Sequence, residues 1–301
     1  MKAILFDRFG GTEVLREADV EAPQPGPGQI RVRVEAAGLN ALDGKIRSGA
    51  LEALFPTPLP SVPGHELAGV VDALGEGVRD VQVGDEVLGW SDTGSYAEYA
   101  LATTVAPKPA DLDWQHAVAL PVAGETAERV LNLLGVTAGE TVLMHGAAGG
   151  VGTLAVQLAT ARGARVIATA GPANQEYLAS LGATATVYGE GLVERVRALA
   201  PDGVDAVFDV AGKGALEDSI ALRGGTDRIV TIADFRAHQL GITFANGPQE
   251  RSAARLAALA QDAATGKIVT TVTAYPLARA ATAQQVSDAG HVRGKLVLTL
   301  G

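Results

Sequence analysis

One stretch constrains this chain more than any other: Thr141-Val142-Leu143-Met144-His145-Gly146-Ala147-Ala148-Gly149-Gly150-Val151-Gly152. An apolar strand ends in a glycine cluster, and residues at helical spacing begin at once. The first N–H groups of a helix lack intrahelical acceptors, and the helix dipole adds positive potential there. That end attracts phosphate, and side chains at the point of closest approach would hold the phosphate away. Read back from Gly152, the G-x-G-x-x-G spacing falls on Ala147, Gly149 and Gly152, so alanine replaces the first glycine. Gly146 and Gly150 add slack beside it. Strand, glycine turn and helix in this order predict a dinucleotide pyrophosphate site on a doubly wound α/β fold.

The flanking sequence has the matching rhythm. Thr141–His145, Arg165–Thr169, Val204–Val210 and Asp227–Ile232 read as strands; Val151–Arg162, Asn174–Leu181 and Leu192–Leu199 read as helices. That alternation predicts a parallel sheet. The first third differs. Gln29–Ala36 alternates polar and apolar residues, prolines and glycines punctuate 23–28 and 56–64, and Val83–Gly89 is a turn followed by a strand. Short strands between turn signals predict an antiparallel, barrel-like unit. His116–Leu134 and the alanine-rich Gln249–Thr265 carry helical spacing, and Lys295–Leu300 reads as a strand returning to the first unit. A chain of 301 residues has room for two domains of about 150 residues each.

Composition removes several function classes. Lys and Arg number 24 against 34 Asp and Glu, a net charge of −10. With no basic run, the chain has no electrostatic footprint for nucleic acid or an anionic membrane. The absence of cysteine excludes disulfides, a thiolate nucleophile and cysteine-ligated zinc or iron–sulfur sites, and is compatible with a reducing, cytoplasmic setting. Asp7 and Arg8 interrupt the first apolar run too early for a signal peptide. The uncharged run Thr141–Ala161 is long enough to cross a bilayer, but it carries His145, Gln157 and four glycines and switches from strand to helix.

The second strand of the α/β region addresses which dinucleotide binds. In NAD sites an Asp or Glu about 20 residues past the glycines holds the ribose 2′-hydroxyl. Here Ala170-Gly171-Pro172-Ala173-Asn174 follows Thr169, and no carboxylate occurs until Glu176. This leaves room for a 2′-phosphate, so NADPH is the expected cofactor. No Lys or Arg lies between Thr169 and Arg195. Thr169, the Gly171 backbone, Asn174 and Tyr177 or Tyr188 remain to hold the phosphate by neutral hydrogen bonds.

Several segments, taken in order, resemble one family: Met1–Ile4 with Phe9–Gly11, Gly38–Asp43, Pro63–Val71, Gly84–Gly89, Gly94–Tyr99, Leu120–Ala127, the glycine turn and Gly290–Lys295. Together they resemble the zinc-free quinone oxidoreductase branch of the medium-chain dehydrogenase/reductase superfamily. The resemblance implies a GroES-like β-barrel catalytic domain from 1–112 and 267–301, and a Rossmann dinucleotide-binding domain from 113–266. It implies a cofactor in the cleft between them and a homodimer. The zinc branch needs cysteine where this chain has Asn40, and His65 stands where that branch has a ligand, so His65 is expected to be structural or to hydrogen-bond.

Asn40, Asp43 and Lys45 match the substrate cleft of the zinc-free branch. The Asn40 amide is expected to donate to a carbonyl oxygen or to the cofactor ribose, or to form a turn. Lys45 is expected to stabilise an enolate oxygen or donate a proton, or to be a solvated surface lysine, and Asp43 is expected to line the site or to serve only as a helix cap. The cofactor residues implied are Thr126, Gly146, Ala148, Gly149, Gly150, Val151, Thr169, Ala170, Gly171, Asn174, Tyr188, Ala211, Ile232, Arg293 and Lys295. The implied reaction is metal-free hydride transfer from NADPH to a quinone or other electron-poor enone. Alternatives are a 2-enoyl thioester or enone reductase, and an NADPH-binding protein with little turnover.

Overall fold

The computed structural model describes residues 1–245 and 251–300. In chain order the strands are β1 (Lys2–Leu5), β2 (Arg16–Asp19), β3 (Ile30–Leu39), β4 (Glu66–Leu74), β5 (Glu86–Trp90), β6 (Tyr99–Ala102), β7 (Val105–Pro107), β8 (Thr141–His145), β9 (Arg165–Ala170), β10 (Thr184–Val187), β11 (Ala206–Asp209), β12 (Ile229–Thr231), β13 (Thr243–Phe244), β14 (Val272–Pro276) and β15 (Lys295–Thr299). The helices are α1 (Ala41–Arg47), α2 (Trp114–Val118), α3 (Pro121–Leu133), α4 (Gly150–Ala161), α5 (Gln175–Ser180), α6 (Leu192–Leu199), α7 (Leu216–Arg223), α8 (Ala237–Leu240), α9 (Ala253–Ala264) and α10 (Ala280–Ala289). They form two units, Met1–Val122 with Arg251–Gly301, and Ala123–Glu250.

In the first unit, β3 is the hub. Ile30, Val32 and Val34 point into the core while Arg33 stays exposed, the period of two read from the sequence. Beyond Val34 the strand is buried almost throughout, because neighbours cover it on both edges. The sheet runs β14-β15-β3-β4-β5-β7, with β6 also paired to β3. The tail returns as expected: β15 lies antiparallel to β3, with Leu296 opposite Leu39. β14, parallel to β15, is an edge strand ending in proline; its mostly exposed residues gave no alternating apolar signal.

The units divide after 122 and 250, whereas the sequence reading placed the divisions after 112 and 266. The cause is packing. α2 lies against β3 and β4, and α9 lies against β7, so both helices belong with the first sheet. The single helical run expected over His116–Leu134 is split into α2 and α3 at Pro121, which opens the second helix and keeps the preceding residue out of it. α9 begins at Ala253, capped by Ser252 Oγ accepting from Arg255 N–H; 249 and 250 lie outside the described residues.

The second unit is a parallel sheet of order β10-β9-β8-β11-β12-β13 among the described residues. Strand order reverses between β8 and β11, and ligands of such sheets bind beyond the carboxyl ends at that switch point. Leu143, Ile167, Val207 and Ile229 fill the central strands and pack with Leu192, Val196 and Leu216 from the helices. Among the described residues no helix is long and apolar enough to cross a membrane.

Candidate active site

The glycines of the turn do three different jobs. Gly146 takes a left-handed φ of +70°, and a Cβ there would press on the Ala211 backbone at 3.0 Å. Gly152 lets α4 lie against the turn, since a Cβ would sit 2.5 Å from Ala147 Cα. Gly149, the helix cap, is open: a Cβ there would meet only Gly146 O, at 3.6 Å. The left-handed demand falls on Gly146 and not on Ala147, which explains why alanine serves in the first fingerprint position. The N–H groups of Gly150, Val151 and Gly152 open α4 and have no intrahelical acceptor. Gly149 places no side chain beside them.

Beneath the turn, His145 is buried at the end of β8. The Ser219 hydroxyl donates to Ala215 O at 2.6 Å, so its oxygen accepts from His145 Nε2–H at 3.1 Å. His145 Nδ1 is then the acceptor for the Thr169 hydroxyl at 3.1 Å. Burial holds the imidazole below its ordinary pKa, opposed by Asp209 and Asp218. The Thr169 hydroxyl, read from the sequence as a phosphate donor, is therefore buried and committed to His145. Its carbonyl accepts the Ala147 N–H at 3.3 Å, so Thr169 braces the turn from below.

Ala170, Gly171, Tyr188, Ala211 and Ile232 lie at or just beyond the carboxyl ends of the strands. Ala211 N–H is held by Asp209 Oδ1 at 3.0 Å, and Ile232 N–H by Asp209 O at 3.1 Å. Gln175 Nε2 donates to the carbonyls of Ala170, Gly171 and Thr186 and so ties the end of β9 to β10. The exposed Tyr188 brings its hydroxyl within 3.7 Å of where a Gly171 Cβ would be. Arg195, too far along the sequence to be counted, folds back onto the carbonyls of Val187, Gly189 and Glu190 on both sides of Tyr188. Tyr177 is occupied with Thr153 Oγ1 at 2.9 Å. Thr126 on α3 and Asn174 before α5 are half-buried.

The first unit gathers a second cluster. Asn40 caps α1, and its backbone N–H donates to Asp43 Oδ2 at 2.9 Å. Asp43 Oδ2 also accepts from Tyr96 Oη at 2.8 Å, and His65 Nε2 lies 3.4 Å from Asp43 Oδ1. Burial pushes the Asp43 carboxyl above its ordinary pKa, against the pull of His65, the Asn40 N–H, Tyr96 and Lys295. Burial first, then Asp43, raises the Tyr96 phenol well above its usual value. Asn40 Nδ2 donates to Glu66 Oε1 at 2.8 Å, and Lys295 Nζ reaches Asn40 Oδ1 at 2.6 Å and Glu66 Oε1 at 2.5 Å. The structure thus joins Asn40, Asp43 and Lys295. Lys45 follows on α1, half-buried, and Arg293 is exposed two residues before Lys295.

Glu66 and Tyr96 were missed as site residues. The signal for Glu66 was present: a carboxylate opens the apolar run Leu67-Ala68-Gly69-Val70-Val71, and a charge in such a strand requires a buried partner. Tyr96 lies in the Gly94–Tyr99 segment that carries the family resemblance, but no local pattern gave its hydroxyl a role.

The Alcohol dehydrogenase GroES-like domain family matches residues 26–110, and the Zinc-binding dehydrogenase family matches 150–247. The quinone oxidoreductase of Coxiella burnetii is 34% identical over all of this chain and 99% of its own, with a TM-score of 0.91. The chain belongs to the quinone oxidoreductase branch of the medium-chain dehydrogenase/reductase superfamily. Its two units are accordingly a GroES-like and a Rossmann-like domain. This oxidoreductase is also 32% identical, over 99% of its length and 79% of the relative's, to the chloroplastic NADPH-dependent alkenal/one oxidoreductase of Arabidopsis thaliana. The Escherichia coli quinone oxidoreductase complexed with NADPH is 28% identical over the full length of both chains, with a TM-score of 0.89.

The open cap at Gly149 leaves room at the first amides of α4 that a phosphate-bearing group would fit. The protein's side chains do not fit the zinc that one family name suggests. Among the described residues no three His, Cys, Asp or Glu side chains converge so as to hold a metal. His65 is turned to Asp43, and Glu66 is already engaged by Lys295 and Asn40.

Proposed function

We propose that this oxidoreductase uses NADPH to reduce a quinone or an α,β-unsaturated carbonyl compound. The observation that carries the reading is the open Gly149 cap above three unpaired helix N–H groups, a fit for a pyrophosphate. NADPH over NADH is supported by the end of β9, where Ala170-Gly171 offers no carboxylate to a ribose and the Tyr188 hydroxyl stands beside Gly171. Arg195 braces the loop carrying that tyrosine and brings a cation to it. The names of the Arabidopsis and Escherichia coli relatives point the same way.

A bound reduced nicotinamide supplies the hydride. The protein's part is to grip the diphosphate with the α4 amides, to orient the acceptor, and to hydrogen-bond the oxygen on which charge grows. We assign that last role to Asn40, whose amide is half-buried beside the Asp43, Glu66 and Lys295 cluster. We further propose a cytoplasmic homodimer, consistent with the resemblance and with β13 ending the second sheet on an edge that a second copy can extend. The test is loss of reduced-nicotinamide absorbance with a simple quinone, an enone and a crotonyl thioester, each run with NADPH and NADH. Turnover with quinone or enone and a preference for NADPH are expected. Tight NADPH binding without turnover of any acceptor would leave a binding protein instead.

A further inference from the structure

The Asn40 amide is not free to turn. A carboxylate only accepts hydrogen bonds and an ammonium only donates them. With Glu66 Oε1 at 2.8 Å from Nδ2 and Lys295 Nζ at 2.6 Å from Oδ1, the reverse orientation would set oxygen against oxygen and NH₂ against ammonium. Of the two Nδ2 protons, one is spent on Glu66, and the other has no partner shown among the described residues. Glu66 is itself locked. It is fully buried, its Oε2 accepts the Val122 N–H at 2.8 Å, and its carboxylate fills the space that a side chain at Gly38 would need. Lys295 is almost as deeply buried and arrives on β15, a strand held between β3 and β14.

We propose that the buried Glu66–Lys295 pair is a positioning device that holds Asn40 as a hydrogen-bond donor to the acceptor oxygen. This rests on the reading that Asn40 faces that oxygen. When the acceptor takes up a hydride with its two electrons, negative charge develops on its oxygen; water then supplies the proton, and the dinucleotide leaves oxidised. A donor aimed beforehand at that oxygen stabilises the charge without reorganising. An ammonium on Oδ1 also draws electrons through the amide and strengthens its remaining N–H. Glu66 and Lys295 touch neither oxygen nor hydride in this account; they act through Asn40.

The experiment is a mutant cycle read by kcat with a quinone and by the Kd of NADPH. Lys295→Met alone would strand a buried carboxylate, so the charge-free pair Glu66→Gln/Lys295→Met is compared with Asn40→Ala and with all three substitutions together. Asn40→Ala should lower kcat by about 10²-fold, as loss of one preorganised donor does. The pair should lower kcat by about tenfold or more with NADPH affinity held within about twofold, and should add nothing in the Asn40→Ala background. Multiplying effects, or a weaker NADPH Kd with unchanged kcat, would overturn the positioning role. An unchanged kcat in Asn40→Ala would instead remove the reading of Asn40 on which it rests. A check on the unsubstituted protein uses ¹⁵N-labelled asparagine. A non-reducible ketone added with oxidised cofactor should move one Asn40 amide proton and leave the Glu66-bonded one in place; movement of both or neither overturns the proposal.

Discussion

Replacing Gly149 by leucine should separate binding from folding. Gly149 has φ −77° and ψ 177°, extended backbone open to any residue, and a Cβ there meets nothing closer than 3.6 Å. Losing glycine at a helix cap costs roughly 0.5–1 kcal/mol. The stiffer unfolded chain offsets about 0.4–1 kcal/mol of that. The melting temperature should therefore stay within about 4 °C. Binding should not survive as well. The leucine side chain would occupy the approach to the amides of Gly150, Val151 and Gly152. Hydrogen bonds to a charged group contribute about 1.5–3 kcal/mol each, so losing two weakens NADPH by about 3–6 kcal/mol, or roughly 10²–10⁴-fold in Kd. Nicotinamide fluorescence titration beside thermal denaturation reads both quantities. A folded Gly149→Leu protein that binds NADPH within about threefold of the parent would refute the placement of the pyrophosphate.

The neighbouring glycine should behave in the opposite way. Gly152→Ala places a Cβ 2.5 Å from Ala147 Cα, and overpacking of this kind costs about 1–3 kcal/mol; a urea midpoint equal to the parent's would contradict it. Thr169→Val leaves His145 Nδ1 buried without its donor and should cost about 1–3 kcal/mol in denaturant titration, while NADPH affinity stays unchanged; a large rise in Kd with full stability would restore Thr169 as a phosphate ligand. His145 also sets a pH dependence. The unfolded imidazole protonates below about 6.5 whereas burial keeps the native one neutral, so the unfolded state binds more protons and stability falls as pH drops through that value. The urea midpoint should decline from about pH 7.5 to about pH 5.5, and less so in His145→Gln; an equal decline in both would assign the effect to other groups.

What could be read in the sequence was whatever periodicity and glycine spacing encode locally. The strand–turn–helix at 141–152, the alternation of β3 and the return of 295–299 to the first sheet all carry their burial pattern in consecutive residues. Thr184–Val187 and Val272–Pro276 were unreadable because each is short and placed by its neighbour strand, not by its own pattern. The site shows the same limit. Asn40 and Lys295 were singled out separately, but their meeting at Glu66 joins residues on three elements with 255 positions between the outer two. The Thr169 hydroxyl is turned inward to His145, a rotamer choice that strand periodicity does not specify. Arg195 was discarded on linear distance, yet a short helix brings its guanidinium back beside Tyr188.

The insertion of β15 between β3 and β14 also bears on how the molecule comes off the ribosome. The Rossmann-like unit is a single continuous stretch and can consolidate while translation continues; the GroES-like unit cannot, because its sheet lacks the interior strand β15 and the edge strand β14 until residues 272–299 emerge. Until residue 295 is made, the acid at position 66 has neither its counter-cation nor the strand that carries it. The unit that carries the Asn40 cluster is thus the last to set, and a chain stopped short of that lysine leaves the Glu66 carboxylate without its ion-pair partner.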